Sequence, residues 1–136
     1  MSIQWTEDLS TGFTEIDNQH KELFRRINEF HQACKLGKGS EKVRETIKFL
    51  EEYVIMHFST EENYMEKYNY PDYNSHKIQH QNFINNIHNI KENFEKEGAA
   101  VSLVVNINHM IVEWIQKHIR KVDKALANFL KDKIRT

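Results

Sequence analysis

Two residue pairs in this chain could grip a metal ion. His57 and Glu61, and His76 and His80, each stand four residues apart. On an α-helix that spacing leaves about 40° of rotation, so both members of a pair project from one face and can reach the same ion or neighbouring ions. The chain holds eight histidines; one such pair could arise from composition alone, but two on consecutive helical segments are harder to attribute to it. His20 and His118 stand on apolar stripes, the first with Leu23 and Ile27, the second with Ile111 and Trp114. A lone histidine there reads most simply as a core residue satisfied by a hydrogen bond. Several imidazoles converging in one apolar layer have few ways of satisfying their ring nitrogens other than a metal.

Positioning these residues falls to long helices. With 4 glycines and 1 proline in 136 residues, the composition favours helices over many short strands, and the length suits a single domain spanning 1–136. Apolar residues recur at helical spacing in four segments, expected at about 17–36, 41–68, 73–97 and 100–118. Their buried stripes are Ile16, Leu23, Phe24, Ile27, Phe30 and Cys34; Val43, Ile47, Leu50, Val54, Phe58 and Met65; Phe83, Ile87, Ile90 and Phe94; and Val104, Ile107, Ile111, Trp114 and His118. Asp17 is the expected N-cap of the first, and Asp72 can cap the third. Breaks fall at Gly37–Ser40, at Asn69–Pro71 and at Gly98, where glycine and proline end helices. A short closing helix is expected at about 123–132, and the first helix is preceded by an irregular N-terminal arm, 1–16, laid across one end. The expected fold is all-α: an antiparallel up-down-up-down four-helix bundle with that arm and a short C-terminal helix.

Antiparallel helices place residues equally distant from a shared turn at the same height. His20 lies about 17 residues before the Gly37 break and His57 about 17 after Ser40, each near 25 Å along its helix. Glu61 lies about ten residues before Pro71, and His76 and His80 about five and nine after it. His80 and His118 are about 18 and 20 residues from Gly98. All four helices thus deliver candidate ligands to one layer. His31 is about 16 Å along the first helix from His20, and His88 and His109 fall off the ligand faces, so all three are read as non-ligands. Asp123 has two readings. It follows His118 by five residues and would point about 140° away on an undistorted helix, so the fourth helix must end or bend between them; Asp123 is then either a ligand or the N-cap of the closing helix.

Other function classes lose support. The 19 basic and 20 acidic residues nearly cancel, leaving no electrostatic footprint for nucleic acid or anionic lipid. Met1–Leu9 lacks a signal-peptide pattern, and no run approaches a membrane span. Cys34 is the only cysteine, which excludes an internal disulfide and a cysteine-based zinc site and fits a reducing cytoplasmic setting.

Taken in order, His20, His57-x-x-x-Glu61, His76-x-x-x-His80 and His118-x-x-x-x-Asp123 form a pattern that resembles the hemerythrins, especially their bacterial members. Trp5, Gly12 and Ile16-Asp17-Asn18-Gln19-His20 at the start of the chain are similar to them as well. The resemblance spans essentially the whole chain and all seven ligand positions. It implies two iron ions (Fe2+/Fe3+) with an oxo or hydroxo bridge: one iron completed by His76, His80 and His118, the other held by His20 and His57, with Glu61 and Asp123 bridging them. It also implies that the second iron keeps an open position for dioxygen, in a pocket lined by Leu23, Phe58, Trp114, Ile115 and Ile119. All five would be apolar as ordinary core residues too.

The donor set points the same way, since five imidazoles and two carboxylates suit iron and other divalent metals and offer nothing soft enough to select copper(I). Carboxylate-rich di-iron oxidases use two Glu-x-x-His motifs; this sequence has none. That argues for a carrier or sensor over an oxygenase, and with the resemblance, which implies reversible dioxygen binding, a reversible oxygen binder and not an enzyme is expected. It would act as a monomer in carriage, storage or delivery, with a redox or oxygen-using partner as a further possibility. The alternative is a sensor of oxygen, nitric oxide or redox state built on the same site.

Overall fold

The computed structural model describes residues 4–134, with side chains through Lys133. The first three residues of the expected arm and the last two of the expected domain lie outside the described residues. The fold is all-α. Helix α1 spans Thr14–Lys35, α2 Gly39–Lys67, α3 Tyr73–Glu97 and α4 Val101–Trp114. A π-helical segment, Ile115–Asp123, continues α4 and runs on into α5, Lys124–Ile134. In sequence order each helix packs on its neighbour, α1 on α2, α2 on α3 and α3 on α4, and α2 also touches α4.

The turns follow from local chemistry. After α1, Gly37 takes φ +76° and the Lys38 N–H donates to the Ala33 carbonyl at 2.7 Å, a C-terminal closure that requires the left-handed conformation at Gly37. After α2, Asn69 adopts φ +54°, which asparagine tolerates better than most residues, and the Tyr70 N–H donates to Met65 O at 2.9 Å. Pro71 then prevents the helix from resuming.

Two expectations about caps and ends need correction. Asp17 is not an N-cap: α1 begins at Thr14 behind Phe13. The Asp17 carboxylate instead accepts from the Ser10 hydroxyl and from the Thr11 N–H and hydroxyl, each at 2.8 Å. It thereby ties the arm to the helix. Nor does the helical run end after His118, which lies within the continuous segment Ile115–Asp123. The π-helix pairs residue i with i+5, which puts Asp123 in the place an i+4 residue holds on an α-helix, on the same face as His118.

On α4 the buried residues are Leu103, Ile107 and Ile111, followed by Ile115 in the π segment. Val104 and Trp114, expected on this stripe, are half-buried. Asp72 precedes α3 but makes no side-chain capping bond. The arm, with a 3₁₀ turn at Glu7–Leu9, lies against the π segment and α5. Arg120 donates to Asp8 at 2.9 Å, and the Lys124 ammonium donates to the carbonyls of Asp8 and Ser10, both at 2.8 Å.

The core has two parts. The larger contains Leu23, Ile27, Leu50, Tyr53, Phe58, Phe83, Ile107, Ile115 and Ile119; the smaller contains Met65, Tyr70, Leu126 and Leu130. Among the described residues no helix is long and apolar enough to cross a membrane.

Candidate metal centre

His20 of α1, His57 and Glu61 of α2, His76 and His80 of α3, and His118 and Asp123 of the π segment meet in the bundle interior, each 2% exposed or less. They form two groups able to hold a cation. One comprises Glu61, His76, His80, His118 and Asp123, the other His20, His57, Glu61 and Asp123, with the donor atoms of each group within 4.8 Å of one another. Glu61 and Asp123 belong to both.

Each carboxylate divides its two oxygens between the groups. Oε1 of Glu61 lies 3.2 Å from His76 Nε2 and 3.0 Å from His80 Nε2, while Oε2 lies 3.2 Å from His57 Nε2 and 3.9 Å from His20 Nε2. Oδ1 of Asp123 is 3.0 Å from both His76 and His118 Nε2, and Oδ2 is 3.0 Å from His20 Nε2. This pattern depends on the π-helix, because an α-helix would turn Asp123 away from His118.

The far side of three rings is fixed by hydrogen bonds that sequence reasoning missed. Nδ1 of His57 donates to Gln19 Oε1 at 2.6 Å, that of His80 to Glu62 Oε2 at 3.0 Å, and that of His118 to Gln79 Oε1 at 2.8 Å. Gln19 is itself oriented by Thr60, whose hydroxyl accepts from the Gln19 amide at 3.2 Å. Each of these acceptors adjoins a residue of the cluster in the chain, yet each supports a different one on a neighbouring helix. Adjacency was the available signal; the pairing depends on how the helices are rotated.

Stacking holds the same three rings, with Tyr53 on His57 at 4.9 Å and 20°. Phe58 lies on His80 at 3.8 Å and 3°, and Trp114 on His118 at 3.8 Å and 11°.

The arrangement fits a cation. With the proton on Nδ1, a neutral imidazole presents its Nε2 lone pair inward, here toward anionic oxygens and, between His20 and His57, toward another ring nitrogen at 3.1 Å. Lone pairs facing carboxylates repel unless protons or metal ions lie between them. Glu61 Oε2, Asp123 Oδ1 and His118 Nε2 are buried without a well-directed hydrogen-bond partner among the described residues. Without metal, protons take that place. Burial opposes charge on His76, but hydrogen bonds to Asp123 and Glu61 outweigh it and push the imidazole up to about 9. His20 is raised against the same burial by its bond to Asp123 and the charges of both carboxylates. His118 goes the other way, because burial outweighs what Asp123 gives it. Glu61 and Asp123 are held below the usual carboxylate range despite burial, Glu61 chiefly by His57 and Asp123 chiefly by His118.

The family model for the hemerythrin HHE cation binding domain matches residues 11–130. The chain belongs to the hemerythrin family. It is 31% identical to the bacteriohemerythrin of Methylococcus capsulatus, over 90% of this chain and 92% of that protein. To the bacteriohemerythrin of Clostridium acetobutylicum it is 30% identical, over 88% and 95%. It is also 30% identical to the myohemerythrin of Theromyzon tessulatum, over 88% and 87%. This hemerythrin thus carries a buried His/Glu/Asp cluster able to bind metal, in a domain family described by cation binding.

The remaining residues singled out from the sequence fall into two sets. Leu23, Phe58, Ile115 and Ile119 are buried in the larger core cluster, with Trp114 packed against it. His31, His88 and His109 stand outside both metal-binding groups. His31 is buried, His88 is exposed, and exposed His109 faces Glu113 at 3.4 Å. A groove of about 450 Å³ between α3 and α4 reaches Gln79, Trp114 and His118, so solvent approaches the outer edge of the His118 ring.

Proposed function

We propose that this hemerythrin holds two iron ions per chain and binds dioxygen reversibly, as a carrier, store or delivery protein rather than an enzyme. The observation that carries the reading is the division of each carboxylate between two histidine groups of unequal size. His76, His80 and His118 would hold one iron, His20 and His57 the other, and Glu61 and Asp123 would bridge them. Counting one carboxylate oxygen from each bridge, the first iron receives five protein donors and the second four. The smaller donor set on the His20–His57 side would leave that iron room for an exogenous ligand, whereas the three-histidine side would be more fully supplied by the chain. When bound, the iron pair supplies the electrons that hold dioxygen and recovers them on release.

The chain's own residues do the rest. Gln19, Glu62 and Gln79 hold His57, His80 and His118 in the tautomer that points Nε2 inward, and such outer hydrogen bonds raise ligand basicity. Leu23, Phe58, Trp114, Ile115 and Ile119 supply an apolar lining that admits a small apolar gas and slows attack by water and anions. Two anionic ligands among seven favour high-valent iron less than a carboxylate-rich site would, which supports binding over oxygenation.

The test is reconstitution with ferrous iron under anaerobic conditions, metal analysis, exposure to oxygen and return to argon. About two irons per chain, and a visible absorption band that appears with oxygen and disappears under argon through repeated cycles, are expected. One iron per chain, or irreversible oxidation at first exposure, would overturn the proposal.

A further inference from the structure

Tyr53 is 1% exposed, and its hydroxyl is buried with no hydrogen-bond partner among the described residues. A buried hydroxyl left unmatched is costly, and such groups are ordinarily satisfied by protein or by a bound molecule. Its ring stacks on that of His57 at 4.9 Å and 20°, on the two-histidine side of the centre. Other donors near the centre that are buried without a partner among the described residues include Nδ1 of His20 and of His76 and the indole N–H of Trp114, whose ring stacks on His118.

Helix register places Tyr53 level with the apolar pocket. Leu23 follows His20 by three residues on α1, and Trp114 and Ile115 precede His118 by four and three. In an up-down-up-down bundle, the turn C-terminal to His20 is level with the turns N-terminal to His57 and to His118. Tyr53, four residues before His57, occupies that turn on α2. A phenol is protonated at neutral pH and can donate.

We infer that the Tyr53 hydroxyl donates a hydrogen bond to the small acceptor molecule, dioxygen or a linear anion, that occupies the pocket on the His20–His57 side. Tyr53 is thus a positioning residue for the bound ligand. The inference rests on the proposed function for the location of the open position.

The experiment titrates the iron-loaded ferric protein with azide, followed by visible absorption, in wild type and Tyr53→Phe. It also compares the thermal stability of the two proteins without metal. A lost hydrogen bond to a charged acceptor is expected to weaken azide by about 10- to 100-fold. Metal-free stability should be unchanged or higher, because no protein partner loses its bond. Unchanged azide affinity overturns the inference; so does weaker azide accompanied by a less stable metal-free protein, which would assign the hydroxyl to the fold.

Should Tyr53→Phe load iron poorly, 3-fluorotyrosine at position 53 decides. A more acidic phenol should bind azide more tightly, and no change overturns the inference. Failure of the wild type to release oxygen under argon would refute the proposed function, whereas the ferric azide titration reads Tyr53 independently.

Discussion

Removing the metal should make the bundle's stability fall as pH rises through neutrality, whereas histidines with unperturbed pKa values would give no pH dependence there. His76, 1% exposed, has its imidazole pushed up to about 9 by hydrogen bonds to Asp123 and Glu61 that outweigh burial, against about 6.5 in the unfolded chain. A raised folded pKa means that the charged imidazole's contribution is fully present below pH 6.5 and is lost as pH rises toward 9. The difference of about 2.5 units corresponds to roughly 3 kcal/mol at about 1.4 kcal/mol per unit. His20, also raised, adds in the same direction; His118 is lowered, so its titration falls below this window and does not offset them. For a chain of 136 residues, roughly 3 kcal/mol amounts to about 10 °C in melting temperature. The assay is thermal and urea unfolding of chelator-treated protein, followed by circular dichroism from pH 6 to 9.5, beside a His76→Gln variant. Bound metal reverses the sign, because it needs deprotonated imidazoles, so the gap between loaded and metal-free protein should widen with pH. A metal-free protein as stable at pH 9 as at pH 6.5, or a His76→Gln variant with the wild-type pH slope, would refute the account.

Further outcomes follow from particular contacts. Gln79→Leu and Gln19→Leu remove the acceptors behind His118 and His57 and should each weaken iron binding about 10- to 100-fold in chelator competition; unchanged affinity would mean that these bonds do not orient the rings. His118→Ala should abolish the two-iron stoichiometry, whereas His109→Ala, which alters an exposed residue facing Glu113, should leave it intact; equal iron loss in both would disprove the ligand placement. Ile119→Ala opens a residue only 2% exposed beside His118 and should preserve iron content while speeding decay of the oxygenated form to the ferric state several-fold, a wetter pocket being the cause; an unchanged rate would remove Ile119 from that role. Asp17→Ala deletes the acceptor of three bonds from Ser10 and Thr11 and should cost about 1–3 kcal/mol, with faster hydrogen exchange at the Thr11 amide; a protected Thr11 amide would show that other contacts hold the arm.

How much of this was legible in the chain depends on the range of the interaction concerned. Helical periodicity with few glycines and one proline determined an all-α bundle, because local propensity and stripe spacing agree along its length. Distance from shared turns brought His20, His57, Glu61, His76, His80 and His118 to one height, since rise per residue is a property of the backbone alone. Asp123 escaped that arithmetic: its direction depends on i→i+5 pairing over Ile115–Asp123, and a π-helix is worse locally than the α-helix it replaces, so nothing in the nearby residues announces it.

Asp17 reads as an N-cap by residue type, but the tertiary position of Ser10 and Thr11 gives its carboxylate other donors. The acceptors behind the rings and the unmatched hydroxyl of Tyr53 lay further still from view. Gln19 adjoins His20 yet holds His57, and Gln79 adjoins His80 yet holds His118. The sequence by itself sets which residues share a face and a height; which neighbour each one meets is decided by the mutual rotation of packed helices, and that rotation is fixed by the sum of many side-chain contacts spread across the whole bundle.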